Sequence, residues 1–239
     1  MTRLIKANMQ RMFKHIFFIP GLILAFLITL VAMNFRLTTP EAAQYWHRFA
    51  ALGIAAFFSL FIPLFIGQEY KDGAIRNKLI AGHKQSTIYI ADLISSVIGV
   101  SCMTFVWALA GVIDLLHAGY SVGISFAVDV LMIWAVMSFY ASIITLFAMR
   151  IRRIALSCAA GIAFFVVSYF LGVTVFSVNM LAESKVSALI ENLFPLGQWF
   201  GIMNQDECLP SVARIAFSVV LLLIVTVIGT ASIDKRELN

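Results

Sequence analysis

The sequence predicts an all-α, polytopic membrane protein with six transmembrane helices, and three observations predict it. Hydrophobic residues make up 62% of the 239 residues and charged residues only 12%. The mean hydropathy is +0.96, whereas soluble domains have roughly 45–50% apolar and 25% charged residues. The apolar residues are also gathered into six runs, each long enough to cross a bilayer as a helix, which takes about 20 residues.

The six predicted spans and their connections form one membrane-spanning domain over residues 1–239. The spans are residues 16–33, 49–67, 88–113, 124–149, 154–178 and 215–233. Four of the six contain no charged residue, whereas the third contains Asp92 and the fourth contains Asp129. Transmembrane β-strands would be much shorter and would alternate apolar with polar residues, so helices are favoured.

Residues 1–15, before the first span, have the pattern of an amphipathic helix that lies on the membrane surface. On a helical wheel one half carries the apolar residues Leu4, Ile5, Met9, Met12, Phe13 and Ile16, and the other carries Arg3, Lys6, Gln10, Arg11 and Lys14. Such a helix buries its apolar side at the headgroup boundary. We therefore expect an interfacial helix, retained in the protein rather than cleaved as a signal peptide.

The distribution of positive charge predicts the orientation, because cytoplasmic loops retain Lys and Arg. Of the 17 Lys and Arg residues, four lie in residues 1–15, four in 68–87, three in 150–153, and the last two are Lys235 and Arg236. The opposite side has only Arg36, Arg48, Lys185 and Arg214. Both termini are therefore expected in the cytoplasm, and the net charge of +5 indicates anionic lipid rather than nucleic acid as its partner.

The cytoplasmic segment 68–87 between the second and third spans is predicted to contain a short ordered helix. Asp72 is a good N-cap, Gly73 permits a sharp exit from the second span, and Gly82 is a suitable C-cap. Ile75 and Leu79 lie four residues apart and are expected on one face, with polar contacts from Arg76, Asn77, Lys78 and Lys84. Ser86 is expected to cap the third span.

The last outer connection, residues 179–214, is the longest, and long loops usually have a function. Val186, Leu189, Ile190, Leu193 and Phe194 recur at near-helical spacing. The pattern predicts short amphipathic helices that dip into the outer leaflet and are broken at Pro195 and Gly197. A folded outer loop with aromatic anchors is the alternative.

The spans contain prolines and small residues that affect helix packing, and two aspartates that are polar within apolar segments. Pro20 and Pro63 are each expected to kink a helix locally, and Ser157 and Gly161 have a small-xxx-small spacing that permits close helix approach. Asp92 and Asp129 lie near opposite ends of their spans, where both could meet water or headgroups. We favour an interfacial or helix-pairing role for the two aspartates over a substrate or proton role, and their opposite depths argue against one shared relay.

Catalytic motifs are nearly absent. The chain has no G-x-x-x-x-G-K-[ST] nucleotide motif and no H-E-x-x-H zinc motif, and its four histidines are scattered. Residues 119–123 match G-x-S-x-G, but no strand precedes the serine and no histidine follows it. We therefore predict no catalytic residue, no metal site and no bound cofactor in this chain. A membrane-embedded enzyme remains a minor alternative.

The segment from Glu69 to Leu93, with its core E-Y-x-x-G-x-I-R-N-K-L-I-A-G-H, resembles the segment after the second span in bacterial permeases of type-2 ATP-binding-cassette (ABC) exporters. The order of elements is similar over the whole chain, whereas the specific motif covers about 25 residues. The family most often has threonine where this chain has Ala74. Lantibiotic-immunity and peptide- or drug-export permeases are the members that it is most similar to.

The resemblance implies a multi-pass subunit in the bacterial cytoplasmic membrane that exports an amphipathic or hydrophobic substrate, such as an antimicrobial or toxic peptide or a drug. It implies two copies of a cytosolic ABC ATPase, which would hold ATP and Mg, and a second permease, identical or a sister subunit. It also implies ATPase-coupling residues in this chain: Glu69, Asp72, Gly73, Ile75, Arg76, Asn77, Lys78, Leu79, Ile80, Gly82 and His83. A membrane adaptor that binds a cytosolic partner without moving cargo is the main alternative.

Overall fold

The fold is all-helical in the residues that the structure, a computed structural model, describes: 1–34, 40–117, 121–182, 185–204 and 210–234. This confirms the predicted fold class. The helices, in chain order, are α1 (Thr2–Phe13), α2 (Phe18–Asn34), α3 (Pro40–Ala50), α4 (Leu52–Lys71), α5 (Ala74–Ile80), α6 (Gln85–His117), α7 (Ile124–Arg150), α8 (Ile154–Ala182), α9 (Lys185–Leu193), α10 (Pro195–Met203) and α11 (Ser211–Asp234).

Five helical segments of the described chain are long and apolar enough to cross a membrane. They are Gln44–Lys71, Gln85–His117, Ile124–Arg150, Ile154–Asn179 and Ser211–Ile233. A sixth is obtained if α1 and α2, which meet at an angle of 62°, are taken together as one broken span. The chain therefore has the helices of a multi-pass membrane protein, with five or six spans where the sequence predicts six.

The helices differ from the predicted spans at their ends. Helix α6 begins at Gln85, so Ser86 lies inside it and does not cap it. The apolar run predicts the part of a helix that suits lipid, whereas backbone hydrogen bonding continues into the polar flanks. Pro20 is the third residue of α2, where its missing N–H costs no hydrogen bond. The bend lies before it, in residues 14–17, and not at the proline.

Helix α7 is central in the bundle and packs against α4, α6 and α11. Pro63 lies inside α4 and has no N–H to donate to the carbonyl of Ser59. Gly161 of α8 lies directly against that carbonyl, so closely that a Cβ at this position would overlap with it. The predicted small-residue motif thus lies at the α4–α8 contact, next to a carbonyl that the proline leaves without its usual helical donor.

Helix α10 is the main departure from the predicted outer loop. All of its residues, 195–203, are buried, and it packs against α3, α7, α8 and α9. The chain breaks at Phe194, whereas Pro195 begins the helix and Gly197 lies within it. A Cβ on Gly197 would overlap with the backbone of Glu191, so the glycine is needed for close packing rather than for a break. Short helices are thus present here as predicted, but the predicted breaks at Pro195 and Gly197 are wrong, and α10 is buried among its neighbours.

Candidate functional site

The connection between α4 and α6 is built around two left-handed glycines. Gly73 has a φ of 71° and directly precedes α5, while Asp72 ends α4 with its N–H bonded to the carbonyl of Gln68. The prediction of Asp72 as the N-cap of α5 is therefore wrong. The chain has to reverse between the two helices, and only glycine adopts this conformation without strain, so Gly73 occupies the cap position.

The other end of α5 closes with the hydrogen bonds of a Schellman motif. The N–H of Gly82, whose φ is 85°, donates to the carbonyl of Leu79 at 2.9 Å. The N–H of His83 donates to the carbonyl of Lys78 at 3.2 Å. These two bonds satisfy carbonyls that a helix end otherwise leaves without donors. The helix thus ends at the glycine that the sequence indicates, and α5 is a defined two-turn element.

The faces of α5 divide differently from the prediction. Ile75 is buried, with 3% of its surface exposed, whereas Leu79 is 38% exposed and Ile80 is 74% exposed. Arg76 and Asn77 are also exposed. Ile75 and Leu79 therefore do not share a buried face, because Lys78, rather than Leu79, turns inward with Ile75. The outer face of α5 presents apolar and cationic side chains together.

Lys78 turns inward because a fully buried carboxylate lies beneath α5. The Lys78 ammonium donates to both carboxylate oxygens of Glu69, at 2.8 and 2.9 Å. The Arg11 guanidinium of α1 forms a second ion pair with Glu69 and donates to the carbonyl of Phe65 at 3.2 Å. Burying a carboxylate requires such partners, because an unpaired buried charge is expensive.

Asp92 of α6 belongs to the same group through Asn8 of α1. The Asn8 amide donates to the Asp92 carboxylate at 2.5 Å, and its carbonyl oxygen accepts from Lys78 at 3.0 Å. The Lys78 ammonium lies 4.0 Å from Asp92. We call Asn8, Arg11, Glu69, Lys78 and Asp92 the charge cluster; it joins α1, α4, α5 and α6.

This arrangement corrects the prediction for the environment of Asp92. Its side chain is fully buried, so it does not meet water or headgroups. Helix α1 lies over this turn of α6 and covers it with Leu4, Asn8 and Met12. The contact with Asn8 agrees with the helix-pairing role that we favoured, although the pairing element is the N-terminal helix rather than another span.

The sequence reasoning missed two members of the charge cluster, Asn8 and Arg11. A signal for Asn8 was present: it lies four residues from both Leu4 and Met12, so it is a polar residue within an apolar stripe. Arg11 was assigned to the solvated side of α1, and 39% of its side chain is in fact exposed. Its partner Glu69 is 58 residues away, and no local pattern indicates that pair.

Asp129 forms a second, separate polar site. Arg48 of α3 donates to its carboxylate from Nε at 2.8 Å and from Nη2 at 2.6 Å, and both side chains are largely buried. The indole N–H of Trp199 in α10 donates to the Arg48 carbonyl at 3.0 Å. Asp92 and Asp129 thus have different partners, in agreement with the prediction that they share no relay.

His15 lies at the bend between α1 and α2. Its ring bonds to the side chain of Gln68 at 3.1 Å. Burial and the neighbouring Arg11 charge lower the pKa of His15 below 6.5, against the opposing effect of the Gln68 bond. The ring is therefore mainly neutral at pH 7.

The charge cluster joins four helices of the described chain. Within the described ranges no three His, Cys, Asp or Glu side chains converge as metal ligands would. Of the G-x-S-x-G match, residues 119 and 120 lie outside the described chain, as do the two cations of the tail, Lys235 and Arg236. Glu69 is paired with two cations and Asp92 accepts a hydrogen bond from the Asn8 amide, an arrangement that holds helices together.

Comparison with known proteins does not add to this: no family model, no curated protein and no solved structure matches the chain.

Proposed function

We propose that this chain is the permease subunit of an ABC exporter in a bacterial cytoplasmic membrane. It would work with two copies of a separate cytosolic ATPase and with a second permease chain, and would carry an amphipathic or hydrophobic substrate such as an antimicrobial or toxic peptide or a drug. ATP and Mg would be held by the ATPase. Residues 68–87 would be the segment that the ATPase grips, and α1 would lie beside them on the inner leaflet.

The observation that carries the proposal is the contrast between the two faces of α5. Its exposed face presents Leu79 and Ile80 beside Arg76, outside the apolar helices that suit lipid. Its inner face is tied down by Ile75 and by the Lys78–Glu69 ion pair. A short helix that is rigidly anchored and carries an unpartnered apolar patch is suited to receive force from a soluble partner.

The charge cluster supports the same function because it connects α5 to several helices at once. A push on α5 would act on α4 through Glu69 and on α1 and α6 through Asn8 and Asp92. Packed helices joined by buried ion pairs move as a body rather than deform, because interiors are close-packed. Closure of the ATPases would in this way tilt α4 and α6 together and change the side of the membrane to which the pathway opens.

The cytoplasmic position of α5 is part of the proposal and depends on the bias of Lys and Arg toward this side. Its exposed charged neighbours are Lys71, Asp72, Arg76 and Lys84, of which three are cations. Replacing Lys71, Arg76 and Lys84 with Gln should weaken or invert the insertion of the first two spans. Labelling of an Ile80→Cys variant in intact cells measures the outcome, and labelling from outside when the three cations are unchanged would contradict this orientation.

The experiment that tests the function uses Ile80→Asp, which places a charge in the exposed patch of α5. Ile124→Asp is the matched control, since Ile124 is 83% exposed and lies at the opposite end of the bundle. In native membranes solubilised in mild detergent, a co-purifying ATPase should be lost with Ile80→Asp and retained with Ile124→Asp. Retention of the ATPase by both variants would contradict the proposal that α5 binds the ATPase.

A transporter differs from a membrane adaptor in that ATP hydrolysis drives the movement of cargo, and this coupling can be tested. Glu69→Ala and Gly73→Pro should leave the chain in the membrane but uncouple ATP hydrolysis from cargo movement in reconstituted vesicles. Full transport by both variants at equal abundance would contradict the proposal. An ATPase that binds through α5 while no cargo moves in the native complex would instead identify a membrane adaptor.

A further inference from the structure

A lateral apolar groove lies between α2 and α4, apart from the charge cluster. It has a volume of about 340 Å³ and is lined on one side by Phe17, Pro20 and Leu24 and on the other by Phe57, Leu60 and Leu64. These residues recur at three- and four-residue spacing, so each helix contributes one continuous apolar stripe. Leu24 is 57% exposed and Leu60 is 42% exposed, so the groove is open along its side.

The groove forms because α2 packs mainly against α6 and touches α4 over a short length. The contact with α4 is at Gly21, where a Cβ would meet the ring of Phe57. Beyond this point a narrower cavity of about 60 Å³ continues past Leu24 to Ile28. From Phe17 to Ile28 the path follows α2 for about 16 Å at 1.5 Å per residue. That is about half of the roughly 30 Å hydrocarbon thickness, or one leaflet.

One end of the groove is polar and cationic. The ring of His15 contacts both Phe17 and Phe61, which places it at this end, and it bonds to Gln68. Lys14 is exposed beside His15, and Lys71 lies two helical turns beyond Leu64, on the side of α4 that lines the groove.

The net charge at this end comes from the two lysines. The Arg11 charge is already paired with the buried Glu69, and His15 is mainly neutral at pH 7. Asp72 follows Lys71 and is the one exposed carboxylate in residues 1–34 and 68–87, where the exposed cations are Arg3, Lys6, Lys14, Lys71, Arg76 and Lys84. The surface around this end is therefore positive.

We propose that this groove binds one acyl chain of an anionic phospholipid, whose net negative charge is balanced by Lys14 and Lys71. The apolar path has the length of a single leaflet, and its cationic end is where a headgroup of that leaflet would lie. A second copy of the chain or a peptide would use the apolar walls but would not require an anion at one end. The site is independent of the ABC assignment, since it needs no ATPase and no cargo.

Native mass spectrometry of the full chain, delipidated in mild detergent and supplied with phosphatidylglycerol or phosphatidylcholine, tests the proposal. Each lysine near a headgroup is expected to contribute about fivefold, so Lys14→Gln with Lys71→Gln should weaken phosphatidylglycerol binding about 25-fold. Binding of phosphatidylcholine should change little. Arg76→Gln with Lys84→Gln removes the same charge away from the groove and should leave phosphatidylglycerol binding unchanged.

Filling the groove tests the acyl-chain part separately. Leu60→Trp should abolish binding of both lipids, whereas Leu131→Trp, on the exposed face of α7, should not. Equal binding of the two lipids by the native chain, or equal effects of the two tryptophans, would overturn the proposal. Efficient disulfide cross-linking of Leu60→Cys between two copies would also overturn it, because the groove would then be an interface between chains.

Discussion

Removing two opposite charges from the charge cluster should cost no more than removing one of them. Glu69→Gln leaves Lys78 and Arg11 with only Asp92 as a counter-charge, and Lys78→Met leaves two carboxylates with only Arg11. Breaking a buried ion pair costs about 3–5 kcal/mol. The lower end of that range, about 3 kcal/mol, is expected for Glu69→Gln, because the side chain of Arg11 is 39% exposed and can turn to solvent. We expect a similar value for Lys78→Met.

The double variant removes both members of the Lys78–Glu69 ion pair, so neither is left buried without the other. We therefore expect it to cost about 3 kcal/mol in total, which is a coupling of about 2–3 kcal/mol between the two sites. The free energy of unfolding is measured by reversible unfolding in mixed micelles. Arg76→Met is the control, because it removes an exposed cation from the same helix and should change the free energy by less than about 0.5 kcal/mol.

Additive effects of Glu69→Gln and Lys78→Met, within about 0.5 kcal/mol, would refute this reasoning. They would mean that the two side chains do not share a buried site, and the mechanical connection from α5 to α4 would lose its support. If a variant loses transport while its free energy of unfolding is unchanged, the substitution acts on the binding of the ATPase and not on the charge cluster.

Three further predictions concern other parts of the bundle. Arg48→Met should destabilise the protein by about 3 kcal/mol, because Asp129 is left buried without its cation, and adding Asp129→Leu should recover most of the loss in the same unfolding assay. Gly161→Ala should cost about 1–3 kcal/mol by forcing α8 away from α4, whereas Gly53→Ala, with open space around it, should be neutral or slightly stabilising; equal thermal midpoints would contradict this. His15 should titrate below pH 6.5 by NMR, with His15→Asn as the assignment control, and its contribution to stability should be lost as the pH falls below 6.5, because the unfolded chain then binds the proton more strongly.

The local elements of the site were accessible from the sequence, and their partners were not. Gly73 and Gly82 mark the ends of α5 because each has a left-handed backbone that glycine alone adopts easily. The side-chain preference of helix N-caps favours Asp72, but that preference takes no account of the reversal of the chain between α4 and α5. Leu79 was placed on the same face as Ile75 by periodicity, which cannot show that a buried carboxylate draws Lys78 inward instead.

In residues 179–214, too, the sequence predicts local helices but not their packing partners. Residues 179–214 were predicted to contain short helices, and α9 and α10 lie there. The amphipathic spacing that predicts them lies in α9, whereas every residue of α10 is buried, with Gly197 allowing close approach to Glu191. A nine-residue helix with apolar residues all round suits a core as well as a membrane surface.

By itself, the sequence determined the helical class, the approximate spans and the ends of the charged helix α5. A backbone that spans lipid must satisfy its hydrogen bonds internally, so few structures are open to it. Glycine and charged residues also affect the conformation of the chain close to them in sequence. The tertiary structure decided which polar groups meet: Asn8 with Asp92 across 84 positions, and Arg48 with Asp129 across 81. Periodicity assigns a side chain to a face of its helix, but only the packing of helices in space determines the residue that faces it.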